Sequence, residues 1–181
     1  MNYVQPIRDI KKIEEIKAFL KKKSLKYEFL FFLGINTGLR ISDLLPLKVK
    51  DIRNKTHITL IEEKTNKYKK FPLYNLDQEI KDYIEGMDDD DYLFPSRTGK
   101  GSAPIKRIQA YRVLNEAGKH VGLGEIGTHT LRKTFGYHFY QRKKDVAMLQ
   151  KLFNHSAPSV TLRYIGIDQD MIDAEMMDFK I

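Results

Sequence analysis

The sequence predicts a mainly helical α+β fold, a single domain whose helices carry a small three-stranded antiparallel sheet as an insert. Apolar residues recur at helical spacing through most of the 181 residues. Between residues 49 and 74 that pattern gives way to alternation at every second position, broken by turn-forming pairs. No internal repeat, low-complexity linker or second composition regime divides the chain, so residues 1–181 are read as one domain, a length that suits one core.

Ile10, Ile13, Ile16, Phe19 and Leu20 follow Asp9, a good N-cap, and give an amphipathic helix over residues 10–22. Ser24 is the expected cap of a second helix over residues 25–37, whose near-continuous apolar run implies burial on most sides. Gly38 is its expected stop. Alternation in residues 57–61 and 68–73, with turn chemistry at Asn54-Lys55 and Thr65-Asn66, makes the sheet. Helical periodicity resumes over residues 76–87, 105–121, 131–141 and 146–153, with a short segment near Ser159 and a final one over residues 169–179.

Lysine and arginine total 32 against 24 acidic residues, a net charge of +8, and the charge is segregated. Residues 1–73 carry 17 basic and 8 acidic side chains, residues 74–94 carry 1 and 8, residues 95–164 carry 13 and 3, and residues 165–181 carry 1 and 5. Two basic blocks parted by the acidic run 88–91 suggest positive charge gathered for a polyanion, with nucleic acid the leading partner. Without cysteine there is no disulfide, thiolate metal site or catalytic thiol, which fits a reducing cytoplasm. Residues 1–9 lack an apolar core of signal-peptide length. The longest apolar stretch, residues 29–35, is far short of the roughly 20 residues that span a bilayer, so no membrane partner and a cytoplasmic location are expected. The histidines have no metal-ligand spacing, and no phosphate-binding Gly-x-x-x-x-Gly-Lys loop is present, so no cofactor or metal is expected.

Thr37-Gly38-Leu39-Arg40-Ile41-Ser42-Asp43 places an arginine directly after a helix-ending glycine, where its fork can meet a phosphate while Asp43 holds it from behind. Taken singly, Arg-x-x-Asp is also an ordinary surface pair. Lys64 stands at the mouth of the hairpin, a cation on a turn. His129 and Arg132, three apart, share one face of a helix near its positive end. Asn154-His155-Ser156 follows an apolar helix, and Tyr164 lies nine residues beyond His155.

In this order and context the pieces resemble the catalytic domain of the tyrosine recombinases, the phage integrase family. The match runs from Thr37-Gly38-Leu39-Arg40, through Lys64 eight residues before Pro72-Leu73, to His129-x-x-Arg132, His155 and Tyr164. The resemblance implies a nucleophilic Tyr164, phosphate-binding Arg40 and Arg132, Lys64 as general acid, and His129 and His155 as hydrogen-bonding or proton-transfer partners, with Asp43 in support. It also implies a site-specific recombinase or integrase acting through a 3′-phosphotyrosine, independent of metal and ATP. Its subunits would self-associate on double-stranded DNA as a tetrameric synapse. Residues 165–181, acidic with an apolar set, are expected to dock in trans on a neighbouring copy, the alternative being docking on their own subunit as a plain C-terminal helix. Most full-length members carry a separate N-terminal DNA-binding domain; residues 1–181 are expected to be the catalytic domain alone, either a natural minimal recombinase or a fragment of a longer one. Two positions depart from the family pattern: Asn154 stands where glycine is common, and Lys133 where many relatives have histidine. The competing readings are a type IB topoisomerase, which shares the tyrosine chemistry, and a catalytically silent DNA-binding regulator with the same fold. Retention of Tyr164 and both arginines argues against silence, and the acidic C-terminal segment argues for recombination.

Overall fold

A computed structural model describes residues 4–63, 66, 68–98, 101–177 and 179–180. Its elements are α1 (Ile10–Lys23), α2 (Leu25–Thr37), α3 (Ile41–Leu44), a 3-10 turn (Val49–Asp51), β1 (His57–Ile61), β2 (Tyr68–Pro72), α4 (Asp77–Ile84), α5 (Arg107–His120), α6 (Thr128–Lys143), α7 (Val146–Phe153), α8 (Pro158–Ile165) and α9 (Ile167–Met177). The fold is mainly helical with a small antiparallel sheet, as expected.

Asp9 starts α1 by accepting from the Lys11 N–H at 2.8 Å, a cap worth about 1 kcal/mol. Ser24 precedes α2 but makes no side-chain cap. Its backbone N–H instead closes α1 on the Leu20 carbonyl at 2.9 Å. Helix α6 begins earlier than its apolar periodicity suggests. The Gly127 N–H donates to Thr130 Oγ1 at 2.9 Å and the Thr130 N–H returns to the Gly127 carbonyl at 2.9 Å, so polar caps, which a periodicity reading passes over, set its start.

The sheet has two strands among the described residues, one fewer than expected. They pair antiparallel in the register His57 to Pro72 and Ile61 to Tyr68. Residues ahead of Asn54 do not join them, because the Lys48 N–H donates to the Asp51 carboxylate at 2.8 Å and curls Val49–Asp51 into the 3-10 turn. Lys48 bridges Tyr92 instead, and the Val49 and Lys50 N–H groups donate to the carbonyls of Asp91 and Asp89. The acidic run therefore has basic partners: Lys50 meets Asp90 at 2.6 Å and Arg53 meets Asp89 at 3.0 Å.

The main core joins α1, α2, the hairpin, α4 and α5, with fully buried Ile16, Leu20, Phe31, Leu33 and Ile58 among its members. A second cluster of Leu149, Phe153, Ile165 and Ile167 gathers α7, α8 and the start of α9 against Phe135 and Tyr137 of α6. Helix α6 thus links the two, with Leu131 in the first and Phe135 against the second. Gly136 makes the second cluster dense. A β-carbon there would lie 2.6 Å from an Ile165 methyl and 2.8 Å from the Phe153 ring, so any side chain would push α8 away from α6. Among the described residues no helix is long and apolar enough to cross a membrane.

Candidate active site

Helix α2 ends because Gly38 takes the left-handed conformation, φ 66°, with its N–H on the Gly34 carbonyl at 3.0 Å. A side chain there would also strike the Phe135 ring, so glycine is required on two counts. The turn delivers Arg40 to the N-cap of α3 in an extended conformation, φ −69° and ψ 148°. Its guanidinium pairs at 2.5 Å with Glu62, whose side chain is 0% exposed. Glu62 immediately follows β1 and continues the inward-facing alternation of Ile58 and Leu60.

Asp43 does not hold Arg40 as expected. Its Oδ1 accepts the Glu63 N–H at 3.0 Å, fastening α3 to the base of the hairpin. The extended backbone at Arg40 removes the helical stacking that an Arg-x-x-Asp pair needs, and the buried carboxylate of Glu62 takes the guanidinium instead. Burial raises the Asp43 pKa, opposed by the Glu63 N–H and by Arg40 and Arg132.

Arg132, on α6, is 2% exposed. It donates to the Gly38 carbonyl at 2.6 Å and the Phe153 carbonyl at 3.0 Å, and its guanidinium lies over the Phe153 ring at 4.2 Å. Burial, then the charge of Arg40, pushes its pKa down to about 10, which leaves it cationic at neutral pH. Arg40, Arg132 and His129 line one cleft of about 440 Å³, together with Thr128, Glu63 and Arg107. Arg107 opens α5 and was not singled out in the sequence, where nothing sets it apart from the other cations of its block. Lys64 lies outside the described residues.

Asn154 ends α7 in the left-handed conformation, φ 56°, one that asparagine tolerates better than most residues, so its substitution for glycine is absorbed locally. It sets His155, whose N–H returns to the Gln150 carbonyl at 3.0 Å and whose Nδ1 meets Thr161 Oγ1 at 3.0 Å. The Thr161 hydroxyl also lies 3.4 Å from the Ala157 carbonyl, and in the tautomer with the proton on Nδ1 the neutral ring donates to Thr161 and keeps Nε2 as an acceptor. Burial, followed by Arg132, Arg40 and Lys69, pushes the His155 pKa down to about 4.

Tyr164, on α8, stands edge-on to His155 at 5.1 Å and to Phe153 at 5.6 Å between ring centroids. Burial raises its pKa, while Arg132 and Arg40 pull it down. A buried phenol, a neutral imidazole and two guanidiniums can together bind an anion and deprotonate a hydroxyl beside it. A larger cavity, about 580 Å³ between residues 4–9 and 123–126, gathers none of these groups. Among the described residues no cluster of histidines and carboxylates is placed to hold a metal.

The His155 shift has a consequence for stability. The unfolded chain takes up this proton near pH 6.5 and the folded chain only near 4, so stability is lost as pH falls from 6.5 towards 4. His155→Gln is expected to flatten that part of the curve of urea midpoint against pH. An unchanged slope would mean that His155 titrates as a solvated group.

The sequence model of the phage integrase family matches residues 9–170. The Bacillus subtilis (strain 168) protein named "Probable integrase/recombinase YoeC" is 58% identical over 172 residues, 94% of this chain and 93% of its own. The XerH site-specific recombinase, in a post-cleavage complex with palindromic difH, superposes with a TM-score of 0.69 at 19% identity over 98% of this chain and 54% of that one. A lambda integrase dimer bound to a COC′ core site gives 0.72 at 17% identity over 91% and 49%. The chain thus spans nearly all of YoeC and about half of these two recombinases. At such identities the two structures establish the fold.

Proposed function

The chain belongs to the phage integrase family, and from that premise we propose that it is a site-specific DNA recombinase that cuts and rejoins duplex strands through a covalent 3′-phosphotyrosine at Tyr164. The observation that carries this reading is the placement of the Tyr164 phenol against His155 and within the field of Arg132 and Arg40. Tyr164 Oη attacks the scissile phosphorus, and its proton passes to Nε2 of His155. The bond from phosphorus to the 5′ oxygen breaks, and that oxygen leaves as a hydroxyl on a proton from Lys64. Arg40 and Arg132 meet the two non-bridging oxygens as negative charge gathers there, and His129, in the same cleft, adds a hydrogen bond. Attack by the 5′ hydroxyl of another strand reverses each step, so the energy of the broken linkage is kept and no ATP is needed.

Arg40 starts from an ion pair with Glu62. A phosphate entering the cleft meets a guanidinium already oriented by a buried carboxylate, and preorganised charge stabilises a transition state without reorganisation. Duplex DNA as the partner is supported by the two basic blocks of the chain and by the DNA-bound XerH and lambda integrase structures. The test is a nicked suicide duplex carrying candidate sites, run on a denaturing gel. A protein band shifted by covalent DNA supports the reading, and intact duplex at every site tried, despite binding, favours the silent regulator.

The C-terminal segment supports self-association. Arg8 anchors the root of α9, donating to both Asp170 oxygens at 2.9 Å and to the Gly166 carbonyl at 2.9 Å. Beyond that root Met171, Ile172, Met176 and Phe179 are exposed and Met177 is 82% exposed, beside Asp173 and Glu175. An acidic helix with uncovered apolar side chains on a basic body fits docking on a neighbouring copy in a synapse. Deleting the residues after Asp168 is expected to leave single-site DNA binding largely intact and to reduce synapsis and coordinated exchange. A truncated chain that recombines as well as the full one would rule out trans docking.

A further inference from the structure

Lys133 follows Arg132 on α6, and one helical step of about 100° turns it away from its neighbour's direction. It is nonetheless 6% exposed, and burial lowers its pKa from the usual lysine range. Its ammonium lies over the Tyr164 ring, 5.1 Å from the centroid. Phe153 and His155 meet the same ring edge-on, so three side chains from two helices and a turn fix its plane. The other charged groups acting on the phenol are Arg132 and Arg40, which Glu62 and Asp43 in part offset. Lys69 acts on His155. A buried lysine carries a desolvation penalty that a methionine of similar reach would avoid. A cation on the π face restrains both tilt and rotation of the ring, which the apolar stem alone does not.

We propose that Lys133 is a positioning residue for Tyr164, its ammonium holding the ring in the orientation from which the phenol attacks. The proposal rests on the reading of Tyr164 as the nucleophile. In-line attack tolerates little misplacement of the oxygen, so a loosened ring slows the chemical step without weakening DNA binding.

Lys133→Met keeps the stem and removes the charge, and Lys133→Arg keeps the charge. The Met variant is expected to form the covalent adduct about tenfold more slowly in single turnover on the suicide duplex, with unchanged duplex affinity, and the Arg variant to recover most of that rate. With 3-fluorotyrosine incorporated, the 19F resonance of residue 164, assigned by its loss in Tyr164→Phe, should move in Lys133→Met and stay close to its original position in Lys133→Arg. Should the Met variant not fold, Lys133→Gln carries the same comparison. A Met variant as fast as the original chain, or an Arg variant as slow as the Met one, would overturn the proposal. Adduct formation by Tyr164→Phe would instead overturn the reading of the nucleophile, and the resonance of residue 164 would still report whether Lys133 holds the ring.

Discussion

Tyr164→Phe is expected to form no covalent adduct with DNA while binding duplex as the original chain does. The ring keeps its edge-on contacts with Phe153 and His155 and its place under the Lys133 ammonium, so the packing of α8 on α6 and α7 is retained. Only the hydroxyl is lost, at a stability change of about 1 kcal/mol or less. The basic surface is untouched. Cleavage in single turnover, duplex affinity and thermal unfolding, taken together, separate lost chemistry from lost structure. An adduct of undiminished yield would move the nucleophile elsewhere.

Arg132→Ala has the next largest effect, on two measurements at once. Removing a preorganised charge from a site where negative charge develops costs roughly 3–4 kcal/mol, or 10² to 10³ in rate. The same change leaves the Gly38 and Phe153 carbonyls without their donor in a buried setting, about 1–3 kcal/mol for each. The melting temperature should therefore fall together with the cleavage rate. Arg40→Ala should match the loss of rate, because the phosphate loses one arm of its clamp, and should cost stability by a different route, because the buried Glu62 carboxylate loses the guanidinium it pairs with. Pairing it with Glu62→Gln should restore stability and leave cleavage lost, a cycle that separates holding the fold from holding the phosphate. Near-normal cleavage in either arginine variant would dismiss the clamp.

Most of the helical frame was legible because its boundaries are local chemistry. Asp9 caps α1 and Gly38 stops α2 through groups within a few residues, and such groups act whatever packs outside them. What the sequence misassigned depends on distant partners. That no third strand forms among the described residues follows from Lys48 bridging Tyr92, forty-four positions away, and no window of alternation contains that pairing. Glu62 had a signal, the period-two pattern of Ile58 and Leu60 carried one step further, but a carboxylate on an inward face is meaningful only once Arg40 is known to face it. Asp43 was read as the partner of Arg40 on helical spacing that the extended backbone at Arg40 does not supply. His129 and Arg132 do line one cleft, because both lie on one rigid helix where i, i+3 spacing holds. Arg107 enters the cleft from the start of α5, a placement that only tertiary packing decides.

The most direct measurement is the identity of the amino acid joined to DNA. The adduct trapped on a suicide duplex is digested with nuclease and protease, and the peptide bearing residual nucleotide is sequenced by mass spectrometry. The nucleotide is predicted on Tyr164, joined through a 3′ phosphate, with a free 5′ hydroxyl on the departing strand. A nucleotide on any other residue, a 5′ linkage, or cut strands with no protein attached would contradict the mechanism.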